Sequence, residues 1–492
     1  MPKHSVKVKW GKELYPDVEV DTDEAPLLFK AQLFALTGVQ PERQKVMVKG
    51  ATIKDTDWGN IKLKDGVMVL LMGSKEDVPV EPVEKTVFVE DMNESEIATA
   101  LDLPSGLTNL GNTCYMNATI QCLKTVPELR EALKTYDGLL SIDEGSIVPA
   151  QSITAAIRDL FNTMDHSSTV PPIFLLQVLH IAFPRFAEKS EHGGFCQQDA
   201  NECWTEIVRM LQQKLPAKKG SGAANFKSLV DQYFGGKFDV ELKCVECEDE
   251  PPTKTTEDFL QLSCFISQDV KYMHSGLKSK MQEQITKMSQ TLQRDAVYTK
   301  TCKIKRLPAY LTVQFVRFYY KEKGSINAKI LKDVKFPLDF DAFDLCSPEL
   351  QEKLTPMRSK FKEIEDATVE NASKGKEIVK KDEKKKVKKF PFSFDDDLGS
   401  NNSGYYTLQA VLTHKGRSSS SGHYVGWVRQ TATSDVWLKC DDDVVSPVTT
   451  DDVLKLSGGG DWHCAYVLLY GPRVLEIPLE DEKMETDQST SA

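Results

Sequence analysis

The chain has 492 residues, 40% of them hydrophobic, and a formal net charge of −11. That is enough apolar material to bury a sizeable core, and the length predicts a globular protein of roughly two to four domains. Residues 75–100 hold eight acidic and two basic side chains, and residues 474–492 hold six and one, so these segments carry the whole charge excess. The near-neutral remainder argues against a nucleic-acid-binding surface, and we predict no nucleic-acid partner.

The sequence also bears on the compartment. It has no apolar run of about 20 residues and no signal-peptide pattern, so we expect no membrane insertion. Its eleven cysteines are odd in number and scattered, which indicates reduced thiols and no disulfide framework. We therefore expect a soluble cytoplasmic protein, monomeric when free. The lysine-rich run in residues 380–389 is a weak signal for nuclear import as well, and is most often a solvated insertion.

The N-terminal 75 residues show the order of elements of a β-grasp domain. Residues 5–10 and 17–21 alternate between apolar and polar side chains, with a turn expected at Tyr15 and Pro16. Residues 25–37 have helical periodicity that ends at Gly38, and strands are expected in residues 39–50 and 66–73. An acidic linker follows in residues 76–104, and residues 474–492 form an acidic tail.

Residues 106–117 form a turn, rich in glycine and asparagine, that leads into a helix. Apolar residues recur at near-helical spacing from Tyr115 to Pro127, which places Cys114 in the first turn with Asn112 or Thr113 as the N-cap. There the helix dipole and the free N–H groups favour a thiolate. A cysteine taken alone is more often a small buried apolar residue, so this pattern leaves both roles open.

Helical patterns dominate residues 129–215, among them residues 153–164 and 200–215, and strand patterns dominate from residue 234 onward. The fold class is therefore α+β. Asp199 and Glu202 lie three residues apart at a helix start, so both carboxylates can face one way. Capping of the helix by Asp199, with Glu202 as its partner, explains the same spacing equally well.

Two insertions and one candidate metal site interrupt this pattern. Residues 216–225 and 366–389 are biased in composition, and we predict disorder there. Cys244, Cys247 and Cys264 have the spacing of a zinc ribbon, but the fourth position is Ser267. A structural zinc site needs four ligands, so we predict no metal, and we predict no other cofactor.

Several blocks of the sequence resemble those of the ubiquitin-specific proteases. Residues 106–117, GLTNLGNTCYMN, match the cysteine box of that family almost letter for letter. Four segments are similar to its histidine box, namely residues 405–411, 421–425, 437–443 and 465–470. Residues 197–202 and 307–318 are similar to two further blocks. The resemblance implies a papain-like catalytic domain with thumb, palm and fingers over residues 105–473, and residues 1–75 resemble a ubiquitin-like domain.

The resemblance implies a thiol-dependent deubiquitinase that hydrolyses the isopeptide bond after the C-terminal glycine of ubiquitin. Cys114 would attack the carbonyl carbon, and His423 would act as base and acid. Asp441 would orient the imidazole, and Asn109 would join the Cys114 N–H in the oxyanion hole. The residues implied to bind ubiquitin, whose tail carries arginines, are Gln198, Asp199, Glu202 and Tyr424. The other two histidines near this box, His414 and His463, are interpreted as structural.

The ubiquitin-like domain resembles that of the proteasome-associated members of the family. This implies docking on the regulatory particle of the 26S proteasome and removal of ubiquitin from proteasome-bound conjugates. Met47, Gly50 and Leu70 match positions of the apolar recognition patch of ubiquitin. Two alternatives stay open: the domain is a spacer that binds nothing, or the whole chain is a silent ubiquitin-binding scaffold that regulates the proteasome by occupancy.

Two polar, glycine- and serine-rich stretches beside the catalytic strands, residues 320–332 and 416–422, are predicted to be mobile loops. Their counterparts in the family cover the path of the ubiquitin tail. Arg417 lies three residues before Ser420, a pattern that basophilic kinases read, and a phosphate there is expected to open the loop and raise activity. The regulatory loop is therefore assigned to Ser418, Ser419, Ser420 and Ser421.

Overall fold

The structure, a computed structural model, describes residues 3–59, 61–74, 103–142, 148–190, 193–219, 226–321, 326–373, 387–419, 421–431, 435–460 and 462–478. The chain divides into two compact units, Met1–Asp91 and Met92–Ala492. Several predicted features lie outside the described residues. They are most of the acidic linker, residues 220–225 and 374–386 of the two insertions, the acidic tail from residue 479, and Ser420.

The first unit is a five-stranded sheet with one helix packed on it. Its elements are β1 (Lys3–Trp10), β2 (Glu13–Asp21), α1 (Pro26–Thr37), β3 (Lys45–Val48), β4 (Ala51–Thr52) and β5 (Met68–Met72). The strand order is β2-β1-β5-β3-β4, with β1 and β5 parallel. Alternate strand residues such as Val8 and Leu71 pack against Leu33 of the helix. The expected β-grasp is confirmed, because the period-two pattern buries one face of each strand.

The first turn of this unit differs from the prediction. The hairpin between β1 and β2 closes at Gly11 and Lys12, with Trp10 opposite Glu13, so Tyr15 and Pro16 lie within β2. Gly11 has a φ of 56°, a left-handed conformation that glycine adopts at little cost and that two-residue hairpin turns need. The prediction weighted proline as a turn former and gave this glycine too little weight.

The second unit begins with a helical subdomain. Its helices are α2 (Cys114–Lys124), α3 (Pro127–Lys134), α4 (Pro149–Met164), α5 (Ile173–Ala182), α6 (Ala200–Lys214) and α7 (Leu229–Tyr233). A short parallel pair, β6 (Gly106–Leu107) and β7 (Thr169–Val170), ties the segment before α2 to this subdomain. Ile120 of α2 and Ile153 of α4 are fully buried in the shared core. These helices form the thumb.

A large mixed sheet, the palm, lies beside the thumb. Its main path runs β10 (Leu262–Phe265), β13 (Leu311–Val316), β22 (Cys464–Pro472), β18 (Tyr405–Ser418), β19 (Ser421–Arg429), β20 (Trp437–Asp441) and β21 (Val444–Val448). Three short strands join it through β18, namely β14 (Phe318–Lys321), β15 (Ile326–Lys329) and β16 (Asp339–Asp341): β15 and β16 pair with β18, and β14 pairs with β15. One face of β18 and β19 packs on α2, so the helix that carries Cys114 lies against the strand that carries His423.

The fingers are a four-stranded sheet with the order β11-β12-β8-β9. Its strands are β8 (Gly236–Cys244), β9 (Thr253–Phe259), β11 (Gln282–Ser289) and β12 (Arg294–Arg306). The remaining elements are α8 (Met273–Lys278), α9 (Pro348–Ser373), β17 (Val387–Lys389), α10 (Thr450–Leu454) and β23 (Glu476–Pro478). Of the cysteines in the zinc pattern, Cys244 ends a strand of the fingers, whereas Cys264 lies in the palm strand β10, so these two lie in different sheets.

The disorder predicted for the two insertions is too extensive. Lys218 is held by Gln232, whose Oε1 accepts the Lys218 N–H at 2.8 Å. Residues 366–373 continue α9, and β17 pairs with β23. Leu354 and Phe361 are buried residues of α9, and they give this charged helix an apolar stripe. The sequence analysis missed this stripe because charged residues dominate the composition of α9 and most of the helix is exposed to solvent.

Parts of the two stretches predicted to be mobile loops form strands, while residues 322–325 and Ser420 lie outside the described residues, so the mobility of the tips stays a prediction. β14 pairs with β15, β18 pairs with β19, and Ala328 of β15 lies opposite Ser418 of β18. Both hairpins therefore extend the palm sheet. Alternation is weak in these polar stretches, so periodicity alone did not reveal the strands.

Candidate active site

Cys114 is the first residue of α2, as the helical spacing predicted. Thr113 occupies the N-cap position, but its side chain does not cap the helix; its Oγ1 accepts the Leu110 N–H at 2.9 Å and braces the preceding turn. Asn112 adopts a φ of 54° in that turn. The thiol is buried, and the backbone N–H of Tyr424 in β19 donates to its Sγ at 3.5 Å. The turn and the palm strand together fix the position of the sulfur.

His423 and Asp441 form the second part of the site. His423 Nε2 lies 2.6 Å from Asp441 Oδ1. The hydrogen bond to Asp441, followed by the one to Cys114, raises the pKa of His423 to about 10. The same bond holds the pKa of Asp441 well below its ordinary value. The imidazolium is therefore the stable form of His423 at neutral pH, beside the Cys114 thiol.

Asn109 is engaged with Asp442, a residue whose role the sequence analysis missed. Asn109 Nδ2 donates to Asp442 Oδ2 at 2.8 Å, and its Oδ1 accepts the backbone N–H groups of Gly111 and Thr113. Asn117 Nδ2 donates to the other oxygen of Asp442 at 2.9 Å. The aspartate therefore holds two asparagines, one before Cys114 and one on its helix. The run of three aspartates was the available signal, but spacing cannot show which carboxylate faces which partner.

The acidic pair at the start of α6 splits into two different environments. Asp199 caps the helix by accepting the N–H groups of Asn201 and Glu202, and it also accepts the Tyr466 hydroxyl at 2.8 Å. Burial raises the pKa of Asp199 despite these hydrogen bonds. Glu202 is half exposed, 3.6 Å from Arg185. The capping interpretation therefore describes Asp199, while Glu202 keeps a carboxylate that faces solvent.

An aromatic wall lines the palm beside Cys114. Phe318 makes edge-to-face contacts with His414 at 5.3 Å and with Tyr466 at 5.1 Å between ring centroids, and Tyr424 lies 4.7 Å from His414. Burial lowers the pKa of His414 to about 3, so its ring is neutral. Gln198, which was predicted to bind ubiquitin, is half-buried directly before α6. Near this wall, Gln197 Nε2 and Asn201 Oδ1 are buried polar atoms without a hydrogen-bond partner among the described residues.

The hairpin of β18 and β19 closes tightly next to His423. Gly416 and Gly422 have φ values of 127° and 128°, and a Cβ on Gly422 would lie 2.1 Å from the carbonyl oxygen of Lys415. The ammonium of Lys329 donates to the carbonyl oxygen of His414 and ties the neighbouring hairpin to this one. Of the predicted regulatory serines, Ser418 and Ser421 pair across the hairpin and Ser419 lies in its turn.

In the first unit, Met47 lies directly opposite Leu70, and Gly50 lies in the turn after β3. The outward residues of β5 form an exposed apolar stripe of Met68, Leu70 and Met72. The lysines opposite these three residues on the neighbouring strands are Lys7, Lys9 and Lys45. The two methionines were missed by the sequence analysis, although the alternation of β5 could have revealed them.

One group of described residues has metal-ligand geometry, namely His423, Asp441 and Asp442. Hydrogen bonds already engage His423 Nε2 and both carboxylates, so this arrangement has the form of a proton-transfer site. Among the described residues, no helix is long and apolar enough to cross a membrane.

The cysteine lies at the start of a thumb helix, and it faces a palm histidine that a carboxylate orients. This arrangement defines the class of papain-like thiol hydrolases. The family profile of the ubiquitin carboxyl-terminal hydrolases matches residues 105–470. The chain therefore belongs to the ubiquitin carboxyl-terminal hydrolase family, and it is a cysteine-type deubiquitinase.

Relatives are similar along nearly the whole chain. Ubiquitin carboxyl-terminal hydrolase 7 of Arabidopsis thaliana is 41% identical over 487 residues, which cover 96% of this chain and 100% of that protein. Ubiquitin carboxyl-terminal hydrolase 14 of Caenorhabditis elegans is 41% identical over 480 residues, covering 96% and 94%. Ubiquitin carboxyl-terminal hydrolase 6 of Schizosaccharomyces pombe is 38% identical over 483 residues, covering 94% and 98%. The similarity thus extends beyond the catalytic unit into the N-terminal unit.

Proposed function

We propose that Cys114, His423, Asp441 and Asn109 carry out deubiquitination in this protein. The observation that carries the assignment is the 2.6 Å contact of His423 with Asp441, next to a Cys114 thiol that accepts the Tyr424 N–H. This geometry keeps the imidazole oriented and pairs it with the thiol. The thiolate attacks the carbonyl carbon of the terminal glycine of ubiquitin, and the His423 imidazolium then protonates the departing lysine amine.

The oxyanion of the tetrahedral intermediate needs donors that are fixed before the reaction. The backbone N–H of Cys114 is one, at the free N-terminal end of α2. Asn109 supplies the other, because its amide nitrogen has two hydrogens and only one is used by Asp442. Asp442 then has the task of holding that amide in place. A water molecule hydrolyses the acyl-enzyme with His423 as the base.

The aromatic wall and the start of α6 are the proposed path for the ubiquitin tail. Glu202 offers a solvent-facing carboxylate to the tail arginines, whereas Asp199, engaged as a cap, shapes the path and adds negative charge. The unpartnered Nε2 of Gln197, shortly before α6, is a hydrogen-bonding group that an extended peptide backbone would satisfy. Tail binding would then remove an energetic cost that this buried donor carries in the free protein.

A ubiquitin derivative with an electrophile at its C-terminus tests the assignment. It should alkylate the wild-type protein at Cys114 and leave Cys114→Ala unmodified, while that variant still binds ubiquitin, because the thiol contributes little contact area. Cys196→Ala is the matched control, since Cys196 is a half-buried cysteine before α6 that has no part in the mechanism. Wild-type labelling of Cys114→Ala would reject the catalytic role, and an unlabelled wild-type protein would favour the silent scaffold.

We also propose that the N-terminal unit docks on the 26S proteasome regulatory particle, and that the protein acts in the cytoplasm on ubiquitin carried by proteasome-bound conjugates. The supporting observation is the apolar stripe Met68, Leu70 and Met72 with lysines on both sides of it. Exposed apolar stripes of this kind mark interaction surfaces, and the lysines favour a partner with an acidic rim.

Paired leucine variants test the docking proposal. Leu70→Glu should weaken co-sedimentation with proteasomes at least about tenfold, because it places a charge in the centre of the apolar surface. Leu27→Glu is the control, since Leu27 is also exposed, at 51%, but lies on α1. Removal of residues 1–75 should have the effect of Leu70→Glu or a larger one. Undiminished co-sedimentation of Leu70→Glu, or equal losses with Leu27→Glu, would contradict docking through this stripe.

A further inference from the structure

The carboxylate of Asp441 has a second cationic partner besides His423. Its Oδ1 contacts His423 Nε2 at 2.6 Å, and its Oδ2 accepts a hydrogen bond from the ammonium of Lys439, also at 2.6 Å. The three side chains are 34% (His423), 30% (Asp441) and 28% (Lys439) exposed, so solvent screens the charges only in part. Each oxygen of the carboxylate is thus held by a different cation.

The palm sheet explains why Lys439 reaches this position. Lys439 and Asp441 are two residues apart on β20, so their side chains leave the same face of the strand. Lys439 lies opposite Trp427 of β19, and its ammonium is 5.9 Å from the centroid of that ring. The ring is itself fixed, because Trp427 Nε1 donates to Thr413 Oγ1 at 2.9 Å. The Lys439 ammonium therefore lies near an aromatic ring whose position is fixed.

We propose that Lys439 is a positioning residue for the reaction. Its ammonium holds the Asp441 carboxylate in the orientation that faces His423, and it offsets part of the negative charge that the imidazolium would otherwise experience. This inference rests on the proposed catalytic roles of Cys114, His423 and Asp441. A carboxylate with one oxygen free could rotate away from the imidazole, and catalytic geometry tolerates little misplacement.

Other charged and titratable groups also lie near this pair. They are Cys114 from α2, His414 and Lys415 from β18, Asp442 from the turn after β20, and His463 from the segment before β22. Burial lowers the pKa of His414 to about 3 and that of His463 to about 4, so neither carries charge at neutral pH. The ammonium of Lys415 lies over the Trp462 ring at 4.4 Å. Among the described residues, Lys439 is the lysine in contact with Asp441.

The sign of the charge effect follows from this geometry. The hydrogen bond to Asp441 is the largest cause of the raised pKa of His423. The Lys439 ammonium on the other oxygen of Asp441 disfavours a positive charge on the imidazole, so it works against this rise in the pKa of His423. Removal of the Lys439 ammonium should therefore raise the pKa of His423 further. Activity needs the imidazolium as the acid, so the alkaline limb of the pH profile should move to higher pH.

Lys439→Met tests the proposal, since it keeps a long apolar stem and removes the ammonium. We expect kcat/KM for a ubiquitin C-terminal fluorogenic substrate to fall about tenfold near neutral pH, because the carboxylate loses an anchor. The alkaline limb should shift upward by about half a pH unit. Lys439→Arg should return the alkaline limb to its wild-type pH and restore most of kcat/KM. Lys455→Met is the matched control, because Lys455 also pairs with an aspartate, Asp452, at 2.9 Å and is 74% exposed.

The pH dependence of Cys114 alkylation by iodoacetamide, followed by peptide mass spectrometry, provides a second readout that needs no ubiquitin. The Lys439→Met profile should shift in the same direction as the kinetic limb. The proposal would be overturned if Lys439→Met left both the pH profile and the rate unchanged. It would also be overturned if the rate fell equally at every pH while the alkaline limb stayed at its wild-type position. A failure of Lys439→Arg to restore the limb would overturn it as well. Full turnover by Cys114→Ala would instead reject the underlying catalytic assignment.

Discussion

At the scale of single residues, the site depends on side chains that hold other side chains. We propose Cys114, His423 and Asp441 as the reacting and orienting groups, and their neighbours decide where these side chains point. Asp442 binds the amides of Asn109 and Asn117, one on each side of the cysteine turn. Because Asp442 is the member that both asparagines share, its loss should have a larger effect than a single contact suggests.

Asp442→Ala should therefore lower kcat while KM for ubiquitin substrates changes little. The variant frees the amide of Asn109, which then no longer stays near the position of the oxyanion, and we expect a loss of at least about tenfold in kcat. Steady-state kinetics on a ubiquitin fluorogenic substrate measures both constants. Asp443→Ala is the control, since Asp443 is the exposed neighbour in the same turn. Equal losses in the two variants, or a loss confined to KM, would contradict this role.

At the scale of elements, one buried arginine ties together the strands around the cleft. Arg317 lies between β13 and β14 and is fully buried. Its guanidinium donates to the carbonyl oxygens of Ile330, Lys332, Ser457 and Ala465. These acceptors belong to the segments after β15, before β22 and within β22. Arg317 thus anchors the base of the β14–β15 hairpin through these backbone carbonyl groups.

Arg317→Met should destabilise the catalytic unit by about 3–5 kcal/mol, because several buried carbonyl groups lose their donor at once. The free energy of unfolding in urea, followed by tryptophan fluorescence, measures the change. Arg209→Met should stay within about 0.5 kcal/mol of the wild type, since Arg209 is 59% exposed and only 3.9 Å from its nearest partner, Glu206. A similarly small change in Arg317→Met would show that the carbonyl groups find other donors.

At the scale of the whole molecule, the chain has two compact units, for which we propose different tasks. The catalytic unit has one core that α2 shares with the thumb helices and a second core in the palm sheet. The N-terminal unit has a separate core around residues such as Val8 and Leu33. Because these core clusters of described residues have no member in common, we expect the proposed functions to separate: Leu70→Glu should leave turnover of a small ubiquitin substrate intact, and Cys114→Ala should leave docking intact.

The sequence by itself determined the fold class, the β-grasp and the family, because these depend on local signals. Apolar periodicity revealed α1, α2 and α6, and the long match around Cys114 and His423 revealed the class of enzyme. Strands without strong alternation, such as those of the two hairpins, and the helix hidden in the charged residues 351–373 escaped this reasoning. Their stability comes from partners far along the chain, which a local pattern does not contain.

Only the tertiary structure decided how the site is held. Asn109 and Asp442 are hydrogen-bonded although they lie 333 positions apart in the chain. Tyr466 and Asp199 are hydrogen-bonded as well, at a separation of 267 positions. The sequence contained all of these side chains, but it could not show which partners Asp441 and Asp442 contact, nor that Lys439 contacts the Asp441 carboxylate. Such roles depend on distances of about 3 Å between strands and helices, and packing of the thumb against the palm sets those distances.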